Sequence, residues 1–352
     1  MNSRKQRHKA FNVIPAALMM LATYCGSATA ASVAGGFSHK DWDLTCDNTL
    51  TCRAVGYGAI AEEEGASVLL TRKAGRNEPV INRVMLAHYG DDEWQEGSAP
   101  ELIIAGRTAG ALSFAGDESW QMSEAQLAQF LTALKQDKSI SFRKNDDDYS
   151  LSGAGSSAVL LKMDDVQGRV NTPGAILRKG KNSESSVKAP IAIPVILKAP
   201  VIDKYLRRMT AQEEAVFRPV ILQALGADAD TFCSEERLAE PLEIARLNEQ
   251  RSLVSAPCWL AAYNSGDAYF EINNDMQSAP VLVSDSANGY DNGVISSGMR
   301  GRGVGDCWSY DAWVWNGTEF VQSQRGDTGR CMMMRVGGAW DLPLLVTEVV
   351  EQ

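Results

Sequence analysis

Residues 298–343 read GMRGRGVGDCWSYDAWVWNGTEFVQSQRGDTGRCMMMRVGGAWDLP, and this stretch decides the fold of the second half of the chain. It holds Cys307, Cys331 and four of the eight tryptophans. Trp313 and Trp315 alternate with smaller residues ahead of Asn316-Gly317. An Asn-Gly pair is typical of a tight two-residue turn between antiparallel strands. The stretch therefore predicts a β-hairpin within a disulfide-containing β module.

The first thirty of the 352 residues have the order of a secretory signal peptide. Four basic residues precede an apolar run from Phe11 to about Tyr24, and the small-residue triplet Ala28-Thr29-Ala30 follows it. The run is shorter than the roughly 20 residues of a membrane-spanning helix, and Pro15 interrupts it. We therefore expect cleavage near Ala30, a periplasmic location, and no integral membrane segment in the mature chain.

The charge of the predicted mature chain limits its partners. Without residues 1–30 the chain has 30 Lys and Arg against 44 Asp and Glu, a net charge of −14. Such a surface repels phosphate backbones and anionic lipid headgroups, and no basic run offsets it. The charge argues against nucleic acid as a partner. The charge favours a cationic protein as the partner, and an envelope glycan is the other candidate. A need for solubility alone would also explain the charge.

Six cysteines remain after the predicted cleavage: Cys46, Cys52, Cys233, Cys258, Cys307 and Cys331. An even number of cysteines in an exported chain is typical of a disulfide framework. Their spacing favours three pairs of sequence neighbours, Cys46–Cys52, Cys233–Cys258 and Cys307–Cys331. Zinc prefers C-x-x-C spacing with histidines, and the sequence has neither arrangement. We therefore predict no metal and no other cofactor.

Hydrophobic periodicity divides the mature chain into two domains and a connector. Residues 31–178 combine strand-like alternation with two helical stretches, the first opened by a capping box at Ser123–Gln126, which predicts an α+β domain. Residues 206–352 predict a helix, capped at Thr210–Glu213, followed by a mainly-β domain. Many short strands separated by Gly, Asn and Asp favour a sandwich or a small barrel for that domain.

The connector, residues 179–205, changes character along its length. It begins with the polar linker composition KGKNSESSVK and continues as an apolar run that contains Pro190, Pro194 and Pro200. A helix interior does not accept these prolines, so an extended segment is predicted. Two interpretations stay open: a strand covered by one of the two domains, or an arm that docks another protein.

The motifs that could carry catalysis are incomplete. Gly301–Gly305 suggests a phosphate-binding loop. Such a loop must be followed by a helix, whereas a cysteine and a tryptophan-rich strand follow here, so a turn is the better interpretation. The mature chain has only His39 and His88 as bases and no G-x-S-x-G motif. No catalytic residue is therefore predicted. Paired carboxylates of a glycoside hydrolase stay open because their test is a separation in space.

The quoted stretch also contains a candidate binding surface. Large aromatic side chains can stack on sugar rings or hold the apolar anchors of a partner, and guanidinium groups can bind a carboxylate or a sulfate. The residues with these properties are Trp308, Trp313, Trp315, Trp340, Arg300 and Arg302. The alternative is that the face shared by Trp313 and Trp315 belongs to the core of the domain.

Several segments together carry a resemblance to a known family. They are WDLTCDNTLTCRAVGYG (42–58), LLKMDDVQGRVNTPGAILRKG (160–180), SAPCWLAAYN (255–264), GRGVGDCW (301–308), WVWNGTEF (313–320) and GGAWDLPLLVT (337–347). With these the chain resembles an exported bacterial six-cysteine family of unknown function. The first segment, with TRKAG (71–75), is also similar to the invasion-associated locus B proteins. The resemblance implies a periplasmic protein of a Gram-negative type of bacterium and transfers no catalytic residue.

The sequence thus favours a non-enzymatic binding or interaction protein of the cell envelope. Structural cysteine and tryptophan are abundant, whereas no catalytic set is complete. Two alternatives are kept for testing: an envelope hydrolase that uses acidic residues, and an inhibitor of a cationic enzyme such as lysozyme, which the negative charge would attract.

Overall fold

A computed structural model of the protein describes residues 35–59, 65–90, 98–227 and 233–352. The predicted signal peptide, residues 1–30, lies outside the described residues, so its cleavage stays a prediction. The described residues all belong to one compact unit, Ser32–Gln352. The domain boundaries expected at residues 178 and 206 stay predictions.

The first half of the described chain is a β structure with two helices. Its strands are β1 Gly35–His39, β2 Trp42–Cys46, β3 Cys52–Tyr57, β4 Ala66–Arg72, β5 Ile81–Leu86, β6 Glu101–Ile104, β7 Arg107–Ala111, β8 Ser113–Gly116, β9 Ser119–Gln121, β10 Ile140–Lys144 and β11 Asp147–Leu151. They form two antiparallel sheets, in the orders β1-β2-β3-β4-β5-β9-β8 and β11-β10-β6-β7. Both sheets contribute side chains to one core.

Helices α1 Glu124–Lys135 and α2 Ser156–Val166 pack against this core. The predicted capping box begins α1: Gln126 N–H donates to Ser123 Oγ (3.3 Å), and Ser123 N–H donates to Gln126 Oε1 (2.9 Å). Phe130 and Leu134 of α1 are buried in the core, as their helical spacing requires. The α+β prediction for the first half is confirmed.

The second half continues with twelve described strands. They are β12 Val195–Lys198, β13 Arg207–Arg208, β14 Glu243–Arg246, β15 Arg251–Leu260, β16 Ser265–Asn273, β17 Val281–Ala287, β18 Gly289–Asp291, β19 Val294–Arg300, β20 Trp308–Trp315, β21 Phe320–Asp327, β22 Leu342–Leu345 and β23 Glu348–Glu351. Two five-stranded sheets follow the orders β13-β14-β15-β16-β17 and β18-β19-β20-β21-β22. β12 and β23 form a separate two-stranded parallel sheet.

The two five-stranded sheets share a core. Tyr269 of the first sheet and Ile295 and Trp315 of the second are buried in the same cluster. None of the sheets formed by the described residues closes on itself. The mainly-β prediction is therefore confirmed in its sandwich form, and the small-barrel alternative is wrong.

Helices and connector residues complete the second half. Helix α3 spans Ala211–Ala227 and α4 spans Glu235–Leu238, and Glu213 N–H donates to Thr210 Oγ1 (3.3 Å) in the predicted cap. A one-turn 3₁₀ helix, Glu184–Ser186, lies in the connector. No helix in the described part of the chain combines the length and the apolarity that crossing a bilayer requires.

The hairpin of the quoted stretch forms, but its turn is longer than predicted. Trp315 pairs with Phe320, so four residues connect β20 to β21. The Oδ1 atom of Asn316 accepts hydrogen bonds from the backbone N–H groups of Thr318 (2.8 Å) and Glu319 (2.9 Å). The two-residue turn was wrong because the Asn316 side chain stabilises a wider loop, in which Gly317 supplies the positive φ of 101°.

The cysteines pair as their spacing predicted. Cys46–Cys52 joins the two strands of the first hairpin, and Cys233–Cys258 ties the segment before α4 to β15. Cys307–Cys331 ties the residue before β20 to the segment after β21. The first bridge therefore links two paired strands, the second ties a loop to a strand, and the third links the two segments that flank the β20–β21 hairpin.

Candidate binding surfaces

The four tryptophans of the predicted surface do not lie on one face. Trp315 is 0% exposed and Trp340 is 8% exposed, whereas Trp308 and Trp313 are half-buried. Trp340 Nε1 donates a hydrogen bond to Ser67 Oγ (2.8 Å), which joins the two halves of the chain inside a core. Trp315 and Trp340 are therefore core residues, the alternative that the sequence left open, and an aromatic platform of four rings does not exist.

Arg300 and Trp308 are the members of the predicted surface that lie together. The guanidinium carbon of Arg300 lies 5.1 Å from the centroid of the Trp308 ring, a cation–π geometry. Asn264 fixes the backbone of Arg300, because its Oδ1 accepts from Arg300 N–H (2.9 Å) and its Nδ2 donates to Arg300 O (2.9 Å). Asn264 lies in a loop after β15, and the sequence pattern did not single it out. Arg300 covers one face of Trp308, so a sugar ring cannot stack on that face.

Arg302 is occupied by an ion pair. Its Nε donates to Asp306 Oδ1 (2.7 Å), and its Nη2 donates to Asp306 Oδ2 (2.5 Å). Burial raises the pKa of the Asp306 carboxyl, but the hydrogen bonds from Arg302 and from the Met333 N–H outweigh burial and leave this pKa below its ordinary value. The guanidinium therefore stabilises a turn of this chain, and the place of Arg302 in a binding surface stays a prediction.

Asp306 also lies close to the sulfurs of Cys307 and Cys331. Both sulfurs belong to a disulfide bond, and a metal requires the thiolate form of cysteine. This group therefore stabilises the Gly301–Gly305 turn rather than an ion. The turn leads into β20, a strand, so the phosphate-loop interpretation has no helix to support it.

A charged junction joins the two halves of the chain beside β3 and β21. Arg330 forms a bidentate pair with Asp43 (2.7 Å to each oxygen), and its guanidinium lies 5.3 Å from the ring centroid of Tyr57. The hydrogen bonds to Asp43 raise the pKa of Arg330. Burial raises the pKa of Asp327, and the charge of Asp43 adds to the effect. Each of these groups already bonds to the opposite half of the chain or to its own turn. We therefore assign them a structural role.

A cavity of about 380 Å³ opens next to this junction. Its lining residues are Tyr310, Gln324, Asp341, Pro343, Leu345, Val346 and Thr347. Tyr310 OH donates to Asp341 Oδ1 (2.5 Å), and burial raises the pKa of Tyr310, so the phenol stays protonated. Asp341 is the one carboxylate of this lining. Glycoside cleavage needs two carboxylates about 5 to 10 Å apart, so this cavity does not support the hydrolase alternative.

The proline-rich connector and the last strand form an exposed apolar surface. In the parallel pair, Val195 lies beside Glu348 and Leu197 beside Val350. Val195 is 55% exposed and Leu197 is 52% exposed, whereas Ile196 between them is buried. The exposed row continues to Ile191 and Ile193. We call residues 191–198 and 348–351 the apolar ribbon.

The outer edge of β23 carries backbone groups that point away from the ribbon. Glu348 N–H donates to Pro194 O (2.9 Å), and Gln352 N–H donates to Lys198 O (3.0 Å). Successive amides of a strand point in opposite directions, so the N–H groups of Val349 and Glu351 point outward. Among the residues that the structure describes, β12 is the only strand paired with β23, and no loop residue hydrogen-bonds to either group.

Such a ribbon is unusual as a free surface. Parallel sheets are nearly always covered on both faces, and a two-stranded sheet is marginally stable alone. Natural proteins protect a strand edge that combines apolar side chains with free backbone groups, because another strand can add to it. The ribbon therefore has the features of an edge to which another strand can add.

These features define a disulfide-containing, mainly-β protein with an α+β first half and open sheets. The chain belongs to the family described as "Protein of unknown function (DUF1176)", which matches residues 36–347. It is 24% identical over 307 residues to the "Uncharacterized protein YpfG" of Escherichia coli (strain K12), an alignment that covers 80% of this chain and 84% of the relative. No solved structure matches the chain. The resemblance to a family of unknown function is confirmed, and the likeness to the locus B proteins stays a prediction.

Proposed function

We propose that the protein is an exported, non-enzymatic interaction module of the cell envelope that binds an extended segment of another protein. The observation that carries the proposal is the apolar ribbon, where exposed Val195 and Leu197 lie beside a strand edge with outward backbone groups. Strand addition to such an edge is a common mode of peptide recognition. Main-chain hydrogen bonds supply affinity in this mode, and the flanking side chains supply specificity.

The disulfides support the predicted location. Three cysteine pairs bonded in one chain are typical of an oxidising compartment, and the bacterial periplasm is one. The signal-peptide pattern of residues 1–30 agrees with this location. A protein partner is favoured over an envelope glycan, because Trp315 and Trp340 of the predicted aromatic surface are buried and Arg300 covers one face of Trp308.

Photo-crosslinking in the native host tests the proposal. A photoreactive amino acid at Leu197 is expected to give a discrete adduct in the periplasmic fraction, because a partner covers the ribbon there. The matched control is Phe114, which is 56% exposed on β8 and lies outside the ribbon. The partner identified from the Leu197 adduct must also bind the purified protein and lose binding to the Val350→Asp variant.

The proposal fails if Leu197 gives no adduct, or if the same adducts form at Phe114.

Inhibition of a cationic enzyme such as lysozyme stays a prediction of the negative charge. That idea requires heat of binding in a titration at low salt, since charge attraction is strongest there.

A further inference from the structure

We infer that the partner segment adds to β23 as a third strand and carries a basic residue on each side of two apolar residues. This inference rests on the proposed function of the apolar ribbon. It names the edge of the ribbon that is used and the chemistry of the segment that fits there.

The choice of edge follows from what already occupies the other one. On the outer side of β12, the N–H of Ala199 donates to Trp315 O (2.9 Å), so that edge runs up against the end of β20. On the outer side of β23, Val349 and Glu351 offer N–H and C=O groups to solvent. All four residues of β23 are exposed. A third strand therefore has room beside β23.

The charge of the partner follows from the side chains of β23. The strand reads Glu348-Val349-Val350-Glu351, an apolar centre flanked by two carboxylates. Opposite charges on neighbouring strands stabilise pairing, and like charges directly opposite each other destabilise it. A segment with the same spacing of apolar residues and with Lys or Arg at the flanks complements this edge in either direction.

The two glutamates contribute unequally. Glu351 Oε1 already lies 2.8 Å from Nζ of Lys198, a buried lysine of β12. Glu348 forms no ion pair with any residue of the described ranges. Glu348 is therefore the charge that selects a basic partner, and its reversal removes the selection without breaking the ribbon.

A second copy of this chain fits the edge poorly. Two copies of β23 paired antiparallel about a two-fold axis would place Glu348 of one copy opposite Glu351 of the other. The whole chain carries a net charge of −10, which adds repulsion between copies. A basic segment of a different protein avoids both costs.

Amide hydrogen exchange of the purified full chain tests the inference with a synthetic peptide, acetyl-GSKVVKSG-amide. Saturating peptide is expected to slow exchange at Val349 and Glu351 by at least about tenfold, because both amides gain acceptors. Two control peptides carry N-methyl groups on alternate residues, one set on the odd and the other on the even positions, and so test main-chain pairing. At least one of the two must no longer slow exchange at Val349 and Glu351.

Charge variants test the predicted basic character of the partner separately from the mode of docking. Glu348→Lys is expected to weaken binding of the basic peptide about tenfold at low salt and to favour acetyl-GSEVVESG-amide instead. Asp146→Lys makes the same change in charge in the exposed β10–β11 turn and should leave binding unchanged. Equal binding of the acidic and basic peptides to the unmodified chain would overturn the basic partner, while the ribbon would remain a docking surface.

Strand addition to β23 can be overturned independently of the proposed function. If no peptide slows exchange at Val349 and Glu351 while crosslinks still form at Leu197, strand addition to β23 is overturned and the proposed function stands. If the crosslinks are also absent, both fall together.

Discussion

The double variant Cys307→Ala/Cys331→Ala is expected to unfold with a free energy about 3.5 kcal/mol below that of the unmodified protein. The bridge closes a loop of sequence separation 24, and opening that loop returns chain entropy to the unfolded state. Both sulfurs lie beside Gly301. Alanine is smaller than cysteine, so the two substitutions introduce no crowding there. Urea unfolding in oxidising buffer at pH 7 measures the difference.

The matched control is Cys46→Ala/Cys52→Ala. Its bridge has a sequence separation of 6, and the same entropy relation gives about 2.4 kcal/mol. The short bridge joins residues that already pair in register across β2 and β3, so the hairpin holds them together without it. A larger loss from the short bridge than from the long one would contradict the account of how the loops are fastened.

Trp315→Ala is the second large effect, with an expected loss of about 3 to 5 kcal/mol in the free energy of unfolding. Trp315 is fully buried where the two five-stranded sheets meet, against residues such as Leu253 and Ile295. Its removal loses the transfer free energy of a large apolar side chain and leaves a cavity. Urea denaturation followed by far-ultraviolet circular dichroism measures the loss without depending on tryptophan fluorescence.

Trp308→Ala serves as the comparison, because Trp308 is half-buried and packs against the Arg300 side chain. We expect it to cost less than half as much as Trp315→Ala. Equal losses at the two positions would mean that the tryptophans share one environment. That result would contradict the assignment of Trp315 to the core and Trp308 to the surface.

Local patterns predicted the local structures. Both capping boxes, the first hairpin and the disulfide pairs depend on residues fewer than about thirty positions apart, so spacing and turn chemistry are enough to indicate them. The wider turn at Asn316 was missed because an Asn-Gly pair permits several loops, and the choice depends on which backbone N–H groups donate to the Asn316 Oδ1 atom.

Contacts between distant segments were not predictable in the same way. Asp43 and Arg330 are 287 residues apart, and Lys198 and Glu351 are 153 apart. A single sequence does not say which strands become neighbours, and the burial of a tryptophan depends on the sheet that packs over it. Trp313 and Trp315 illustrate this, because only Trp315 lies fully beneath the opposing sheet.

The apolar ribbon combines both kinds of information. The prolines of residues 190–200 predicted an extended segment, and one of the two open interpretations was an arm that docks another protein. The pairing of that segment with β23 needs the three-dimensional structure, since residues 348–351 carry no turn or helix signal that points to the connector.

Amide hydrogen exchange of the purified protein without any partner measures whether the outer edge of β23 is free. We expect slow exchange at Glu348 and Gln352, whose N–H groups donate to β12, and exchange close to the free-peptide rate at Val349 and Glu351. Slow exchange at all four amides would show that the outer edge of β23 is already paired within the chain. In that case the edge would have no free backbone groups to offer a partner.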